Sequence, residues 1–435
     1  MSIRFYNGKV LTLAEGTTVI DRGEVITEGD SILYAGPAEG QEYSSIIKDL
    51  KPDREIDLKG NLIMPGFKNC HTHSGMAFLR SMADDMKLDD WLNKQIFPRE
   101  ALLSGEDIYH STRLSIMEYL TSGITGICDM YLDPDAIARA AEETGMRCVQ
   151  CGGLNNFSQS VDKLNDWYER LNTGSSLTSF RLGIHAEYTC SEELLKRVSE
   201  LVHEKKAPLY LHISETEFEV QGCRERHEGL SPFEYLNKLK LFDYGAVVFH
   251  GVHVSDEDLR IIKDKDISVV LNPASNAKLA SGIAPVSRYL KEGVRLGIGT
   301  DGPASNNCLD MFREMFLTTA LAKLRENDAS AVDASEVLSM ACSGGARAIG
   351  IPECDCLAKG KKADLIVIDL DSPNMQPLNN ILKNIVYSGS KSNVKLTMIN
   401  GVIRYEDGRF NIGDEPENIY REVKKTVDRI NKEIG

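Results

Sequence analysis

The stretch "NCHTHSGM", residues 69–76, places His71 and His73 two apart at the end of the apolar run "LIMPGF". On a strand, residues i and i+2 share a face, so both imidazoles reach toward one point. His212, in "APLYLHISE", and Asp301, in "VRLGIGTDG", also end apolar runs. Three neutral imidazoles and one carboxylate form a donor set suited to one divalent metal ion per chain. Zn²⁺ fits it best, and Fe²⁺ or Mn²⁺ also suits it. His-x-His alone is as readily a polar strand end. The matching His and Asp at two other run ends turn the reading toward a metal.

Glu215 follows His212 by three. On a continued strand the two would face opposite sides, so the chain is expected to leave the strand after His212 and swing Glu215 over the metal. A carboxylate there can take a proton from the attacking water and pass it to a heterocycle nitrogen. The bland alternative is a solvated glutamate within "ETEFE". His250, at the end of "AVVFH", is placed to hydrogen-bond the attacking oxygen or a developing oxyanion. His253 is expected to act from behind it. His185 ends another run. Six of the nine histidines thus fall at run ends, while His110, His203 and His227 fall in helical or loop stretches.

These residues need a scaffold that gathers strand ends. Eight short apolar or β-branched runs occur at 62–73, 123–131, 146–154, 180–188, 207–215, 246–254, 267–275 and 294–302. Helical patterns such as "SEELLKRVSELVHEKK" separate them. Eight β-α units predict a (β/α)8 TIM-like barrel with function at the C-terminal strand ends. An open doubly wound sheet fits less well, because polar residues end most runs rather than clustering at one switch point.

The two ends of the chain look alike. "IRFYNGKVLTL" predicts a strand, an Asn-Gly turn and a strand. The later segment carries "ADLIVIDL" and "NVKLTMINGVIRYEDGRF", with turns at Asn400-Gly401 and Asp407-Gly408. Neither set is stable alone, so both are expected to build one small β-sandwich. The expected division is 1–60 and 356–435 for that sandwich, the latter ending in a polar amphipathic helix, with 61–355 for the barrel.

The 435 residues carry a net charge of −15, which disfavours nucleic acid and anionic membranes but leaves a neutral small molecule unaffected. No 18-residue apolar run exists for a membrane span. Ten cysteines without a secretory pattern predict free thiols and a cytoplasmic setting. A homo-oligomer is compatible with the composition. Three motifs mislead. "CVQC" lies in a strand-like run and reads as buried thiols. "GIGTDG" carries its glycines within a strand and is followed by Pro303, so it is not a dinucleotide fingerprint. "HAE" at 185–187 lacks the P-C-x-x-C half of the zinc-deaminase signature.

The stretches "MPGFKNCHTHSGMAFLRSMADDMKLDDWLNKQIFPRE", "HISETEFEV", "FHGVHVSDEDL", "NPASNAKLASGIAPV", "GTDGPASNNCLDMFREM" and "GKKADLIVIDL" resemble the amidohydrolase superfamily. Within its cytosine deaminase and chlorohydrolase branch they are most similar to the 5-methylthioadenosine/S-adenosylhomocysteine deaminases. The resemblance implies a distorted barrel, a β-sandwich from both termini, one metal and hydrolytic deamination of an adenine nucleoside. It further implies substrate contacts at Glu100, for ribose hydroxyls, at His185 and at Glu215, with Asp301 as ligand and base. No lysine suitable for carboxylation ends the fourth run, in keeping with a single metal. The chain departs from the family pattern in one place. The loop "GGLNNFSQSVDKLNDWYER" has no arginine before Arg170, so short or neutral 5′ groups are expected over a homocysteine tail. Two other readings were weighed: a deaminase or chlorohydrolase for guanine, a pterin or a triazine, and a dead scaffold. The first shares the same donors. The second would lack ligands or the acid–base group, and all are present.

Overall fold

The computed structural model describes residues 1–82, 84–86 and 90–434. Residues 83 and 87–89 of the family-like stretch at 64–100 therefore lie outside the described residues.

All eight predicted runs supply barrel strands: Phe67–Thr72, Ile124–Met130, Arg147–Cys151, Thr178–Gly183, Leu209–Ile213, Ala246–His250, Ile267–Leu271 and Leu296–Ile298. They pair in sequence order as one parallel eight-stranded sheet. Nearly every residue in them is buried, which explains continuous apolar runs instead of alternation. Intervening helices start on polar caps. Ser104, Ser191 and Ser231 each accept from a backbone N–H in the first turn that follows.

The seam between the eighth and first strands closes by individual bonds. Asp301 N–H donates to His71 O at 3.0 Å. Thr300 N–H donates to Asn69 Oδ1 at 2.9 Å, and Asn69 Nδ2 returns a bond to Thr300 Oγ1 at 2.7 Å. Gly299 permits this approach, since a Cβ there would sit 2.7 Å from the His71 nitrogen. The seam thereby sets His71 beside Asp301.

The run at 62–73, expected as one barrel strand, divides. Leu62–Pro65 is a strand of the terminal sheet, pairing with Ser2–Leu11 and Leu365–Ile368, and Gly66 marks the handover to the barrel. A second correction concerns Asn7-Gly8. Ser2–Leu11 is one strand of ten residues, not a hairpin. Asn7 takes φ 57° within it, and the register with Val19–Glu28 shifts there. This bulge bends the strand so that its first half pairs with Arg54–Asp57 and its second half with Leu62–Pro65. The turns at Asn400-Gly401 and Asp407-Gly408 form as expected, each with both residues at positive φ.

Together the two ends build a nine-stranded mixed sheet with its own apolar core around Phe5, Val25, Leu365 and Met398. A buried ion pair ties it to the barrel: Arg147 forks onto Asp364 at 2.7 and 3.0 Å. The predicted terminal helix is Pro416–Ile434, burying Ile419, Val423 and Ile430. It docks on the barrel helix Gly105–Thr121, where Arg429 and Thr426 both reach Asp107 at 2.7 Å. Among the described residues, no helix is long and apolar enough to cross a membrane.

Candidate metal centre and active site

The structure brings His71, His73, His212 and Asp301 together at the C-terminal mouth of the barrel. Asp301 Oδ1 lies 3.3 Å from His71 Nε2 and 3.1 Å from His73 Nε2, and His212 Nε2 lies 3.2 Å from His71 Nε2. Ligands held tetrahedrally about 2.0–2.1 Å from a zinc ion would stand roughly 3.3 Å apart, which these three spacings match. The donors form two triads that share His71, one with His73 and Asp301 and one with His212 and His250, each within 4.8 Å. The tautomers match as well. His73 Nδ1 donates to Met130 O, and His212 Nδ1 donates to His185 O at 2.8 Å. Both rings therefore turn Nε2 inward, the atom on which a metal would take the place of a proton. Asp301 Oδ2 accepts from Ser275 Oγ at 2.6 Å and Ser305 Oγ at 2.8 Å, which leaves Oδ1 to face the histidines.

The electrostatics favour a cation at this point. Burial works against charge on every member. Hydrogen bonds from His71 and His73 nevertheless hold the Asp301 carboxyl well below the usual carboxylate range. Burial pushes His71 down to about 3. For His73 burial is the largest single influence and lowers it, but the bond to Asp301, the charges of Asp301 and Asp129 and the bond to Met130 O together raise it to about 9. The pocket thus stabilises one positive charge against Asp301, and a divalent ion answers the same field. The residues fit a metal.

Glu215 reaches the mouth because the chain leaves the strand soon after His212. The strand continues through Ile213, and the chain turns at Ser214, which takes φ 52°. Glu219 clamps this turn by accepting the Ser214 and Glu215 backbone N–H groups at 2.8 Å each. The Glu215 carboxylate then sits with Oε2 3.8 Å from His250 Nε2. Burial raises its pKa above the ordinary glutamate value, as a proton carrier requires. His250, the last residue of its strand, and Asp301, three residues beyond its own, also take positive φ, 75° and 57°. Such strained backbone is typical of sites where side-chain placement matters.

His250 Nδ1 donates to Asn276 Oδ1 at 2.8 Å, so Nε2 is the atom that faces the mouth. One ring nitrogen each from His71, His212 and His250 lies within 4.8 Å of the others. His185 is close to the cluster, its ring centroid 4.9 Å from that of His212, and burial lowers it to about 4. It therefore faces the mouth as a neutral ring. His253 lies behind, donating from Nε2 to Ser281 O at 2.7 Å. Glu100 Oε1 and the Tyr131 hydroxyl are buried against each other and have no other hydrogen-bond partner. Burial pushes Glu100 up to about 7.

The three histidines read as outlying are so. His110 and His203 lie on helices, and His227 ends one. Cys148 and Cys151 are buried free thiols. Neither arginine that could have served a carboxylate tail is free to do so. Arg170 forks onto Asp135 at 2.7 and 3.0 Å. Arg181 lies within the fourth strand and bonds to Asn172 and Phe180 O, with a terminal nitrogen near Gly350.

Sequence reasoning missed the groups that hold the site: Ser275, Asn276, Ser281, Ser305 and Glu219. Four of them lie in the polar segments straight after the seventh and eighth strands. Their signal was the density of Asn and Ser in "NPASNAKLASG" and "GPASNN".

The Amidohydrolase family profile matches residues 62–404. The 5-methylthioadenosine/S-adenosylhomocysteine deaminase of Thermoanaerobacter pseudethanolicus is 40% identical over 99% of this chain and 100% of its own. The 5'-deoxyadenosine deaminase of Methanothermobacter thermautotrophicus is 37% identical over 91% of this chain and 96% of its own. Among solved structures, an adenosine deaminase from Xanthomonas campestris with bound zinc superposes with a TM-score of 0.93 at 29% identity, covering 99% of this chain and 98% of its own.

Proposed function

Because the chain belongs to the amidohydrolase family, we propose that it hydrolyses adenine nucleosides at C6, releasing ammonia and the inosine analogue. His71, His73, His212 and Asp301 hold one divalent ion, zinc by donor type. When bound, the ion lowers the pKa of water toward neutrality and so supplies the nucleophile. Asp301, its Oδ2 fixed by two serines, takes one proton from the attacking water. Glu215 delivers a proton to ring N1 as oxygen adds to C6. His250, oriented by Asn276, hydrogen-bonds the reacting oxygen. Asp301 passes its proton to the amino group, which leaves as ammonia, and Glu215 recovers its proton from the C6 hydroxyl as the carbonyl forms. His185 borders the ring.

The observation that carries the reading is the Glu215 carboxyl, half-buried and raised in pKa, 3.8 Å from His250 beside the donor cluster. The ring is chosen from the deaminase names carried by relatives that align along nearly the whole chain. Glu100 Oε1, buried with only the Tyr131 hydroxyl beside it, keeps acceptor capacity for a ligand hydroxyl, which supports a nucleoside over a free base. Ten free cysteines and a net charge of −15 suit a cytoplasmic enzyme with a small-molecule substrate.

The 5′ substituent follows from the engaged arginines. With Arg170 and Arg181 both committed elsewhere, a carboxylate tail finds no partner from them. Steady-state assays should give a higher kcat/KM for 5′-deoxyadenosine, adenosine or 5′-methylthioadenosine than for S-adenosylhomocysteine. S-adenosylhomocysteine as the best substrate would overturn this assignment.

A further inference from the structure

Glu215 has a second neighbour that no part of the reaction described so far uses. Ser281 is buried, and its hydroxyl donates to Glu215 Oε1 at 3.4 Å, on the side of the carboxylate away from His250. The bond is long, as catalytic hydrogen bonds often are before substrate binds. What presents the hydroxyl is well determined. Ser281 N–H donates to Asn276 O at 2.9 Å, and Ser281 O accepts from His253 Nε2 at 2.7 Å. Gly282 follows at φ 126°, and a Cβ there would meet Val252 Cγ1 at 2.9 Å and His253 Nε2 at 3.3 Å. A side chain at 282 would lift the segment off the end of the sixth strand.

The same short segment thus fixes both neighbours of the acid–base group. Asn276 sets the His250 ring, which faces Oε2, and Ser281 faces Oε1. A carboxylate gripped on one oxygen has its rotation limited, and the other oxygen is left directed at the reacting atoms. We propose that Ser281, held by His253, is a positioning residue that orients Glu215 for proton transfer. The inference rests on the proton-transfer role given to Glu215 above.

The test is a double-mutant cycle between Ser281→Ala and Glu215→Gln, with metal content and melting temperature measured for each protein. Ser281→Ala should lower kcat by about 10- to 100-fold, the range set by a lost hydrogen bond to a charged group. KM should stay within about 3-fold, because the hydroxyl does not touch substrate. Metal content and melting temperature should be unchanged, and Ser281→Thr should restore most of kcat. In the Glu215→Gln background, followed at high enzyme concentration, Ser281→Ala should cost at most about 2-fold, since the two act as one unit.

Wild-type kcat in Ser281→Ala, a raised KM with kcat intact, or the same fractional loss in the Glu215→Gln background would each overturn the inference. If Ser281→Ala does not fold, Ser281→Thr and Ser281→Cys decide. Thr keeps the hydroxyl and should stay active, whereas Cys keeps the size with a weak donor and should fall. Equal activity in those two would overturn the inference. A Glu215→Gln enzyme with wild-type turnover removes the proton-transfer reading and this inference together. An inactive Glu215→Gln beside an unimpaired Ser281→Ala removes this inference alone.

Discussion

Replacing Glu100 separates a nucleoside site from a free-base site. Its Oε1 is buried with only the Tyr131 hydroxyl beside it, and burial lifts the carboxyl from 4.5 to about 7. If Glu100 accepts ribose hydroxyls, Glu100→Ala removes hydrogen bonds to a charged group. That costs about 1–3 kcal/mol in kcat/KM for a nucleoside, or roughly 5- to 160-fold, and little for free adenine. The pH dependence carries a sign. The folded pKa is raised, so the acceptor is mostly protonated below about 7 and charged above it. At pH 6 about one tenth of the carboxyl is ionised, and at pH 8 about nine tenths. The ratio of kcat/KM for 5′-deoxyadenosine to that for adenine should therefore rise by up to about 9-fold from pH 6 to pH 8. Taking the ratio cancels the titration of Glu215 and other groups common to both reactions. In Glu100→Gln the ratio should be flat. Equal losses on nucleoside and base in Glu100→Ala, or a ratio that still climbs in Glu100→Gln, would refute the reasoning.

Three further outcomes are expected. Purified protein should carry about one transition metal per chain by elemental analysis, and His71→Ala or His212→Ala should lose it; full activity in metal-free protein would contradict the donor set. Glu215→Gln should lower turnover by at least ~10²- to 10⁴-fold with metal retained, and activity within a few-fold of wild type would place proton transfer elsewhere. Removing one partner of the buried pair, as in Arg147→Ala, should cost about 3–5 kcal/mol in urea unfolding by stranding Asp364, and a negligible change would mean that water reaches the carboxylate.

Much of the barrel was legible because its physics is local. Continuous apolar runs become buried parallel strands, and polar residues at their ends become the mouth. That His71, His73, His212 and Asp301 converge at the mouth could be read from residue type and from their places at run ends. What escaped depends on long-range geometry. Asn7-Gly8 carries a hairpin sequence but forms a bulge, because the strand must serve two different partners. The apolar run at 62–73 serves two sheets, and hydropathy does not mark the handover at Gly66. The Ser214 turn is made by Glu219, five residues on, and a run of glutamates hides which one is buried. Ser275 and Ser305 hold Asp301 from the segments after the seventh and eighth strands, a pairing visible only once those two strands lie side by side. That Arg170 and Arg181 are both occupied likewise emerges only from the partners that the fold gives them.

The most direct measurement is ammonia release by the purified, metal-replete protein, compared at equal concentration across 5′-deoxyadenosine, 5′-methylthioadenosine, adenosine, guanine and a chlorinated or aminated triazine. The structure predicts that the adenine nucleosides turn over with the highest kcat/KM and yield the inosine analogue with stoichiometric ammonia. Guanine or a triazine as the preferred substrate, with the nucleosides inert, would contradict the assignment while leaving the fold and the donor cluster as they stand.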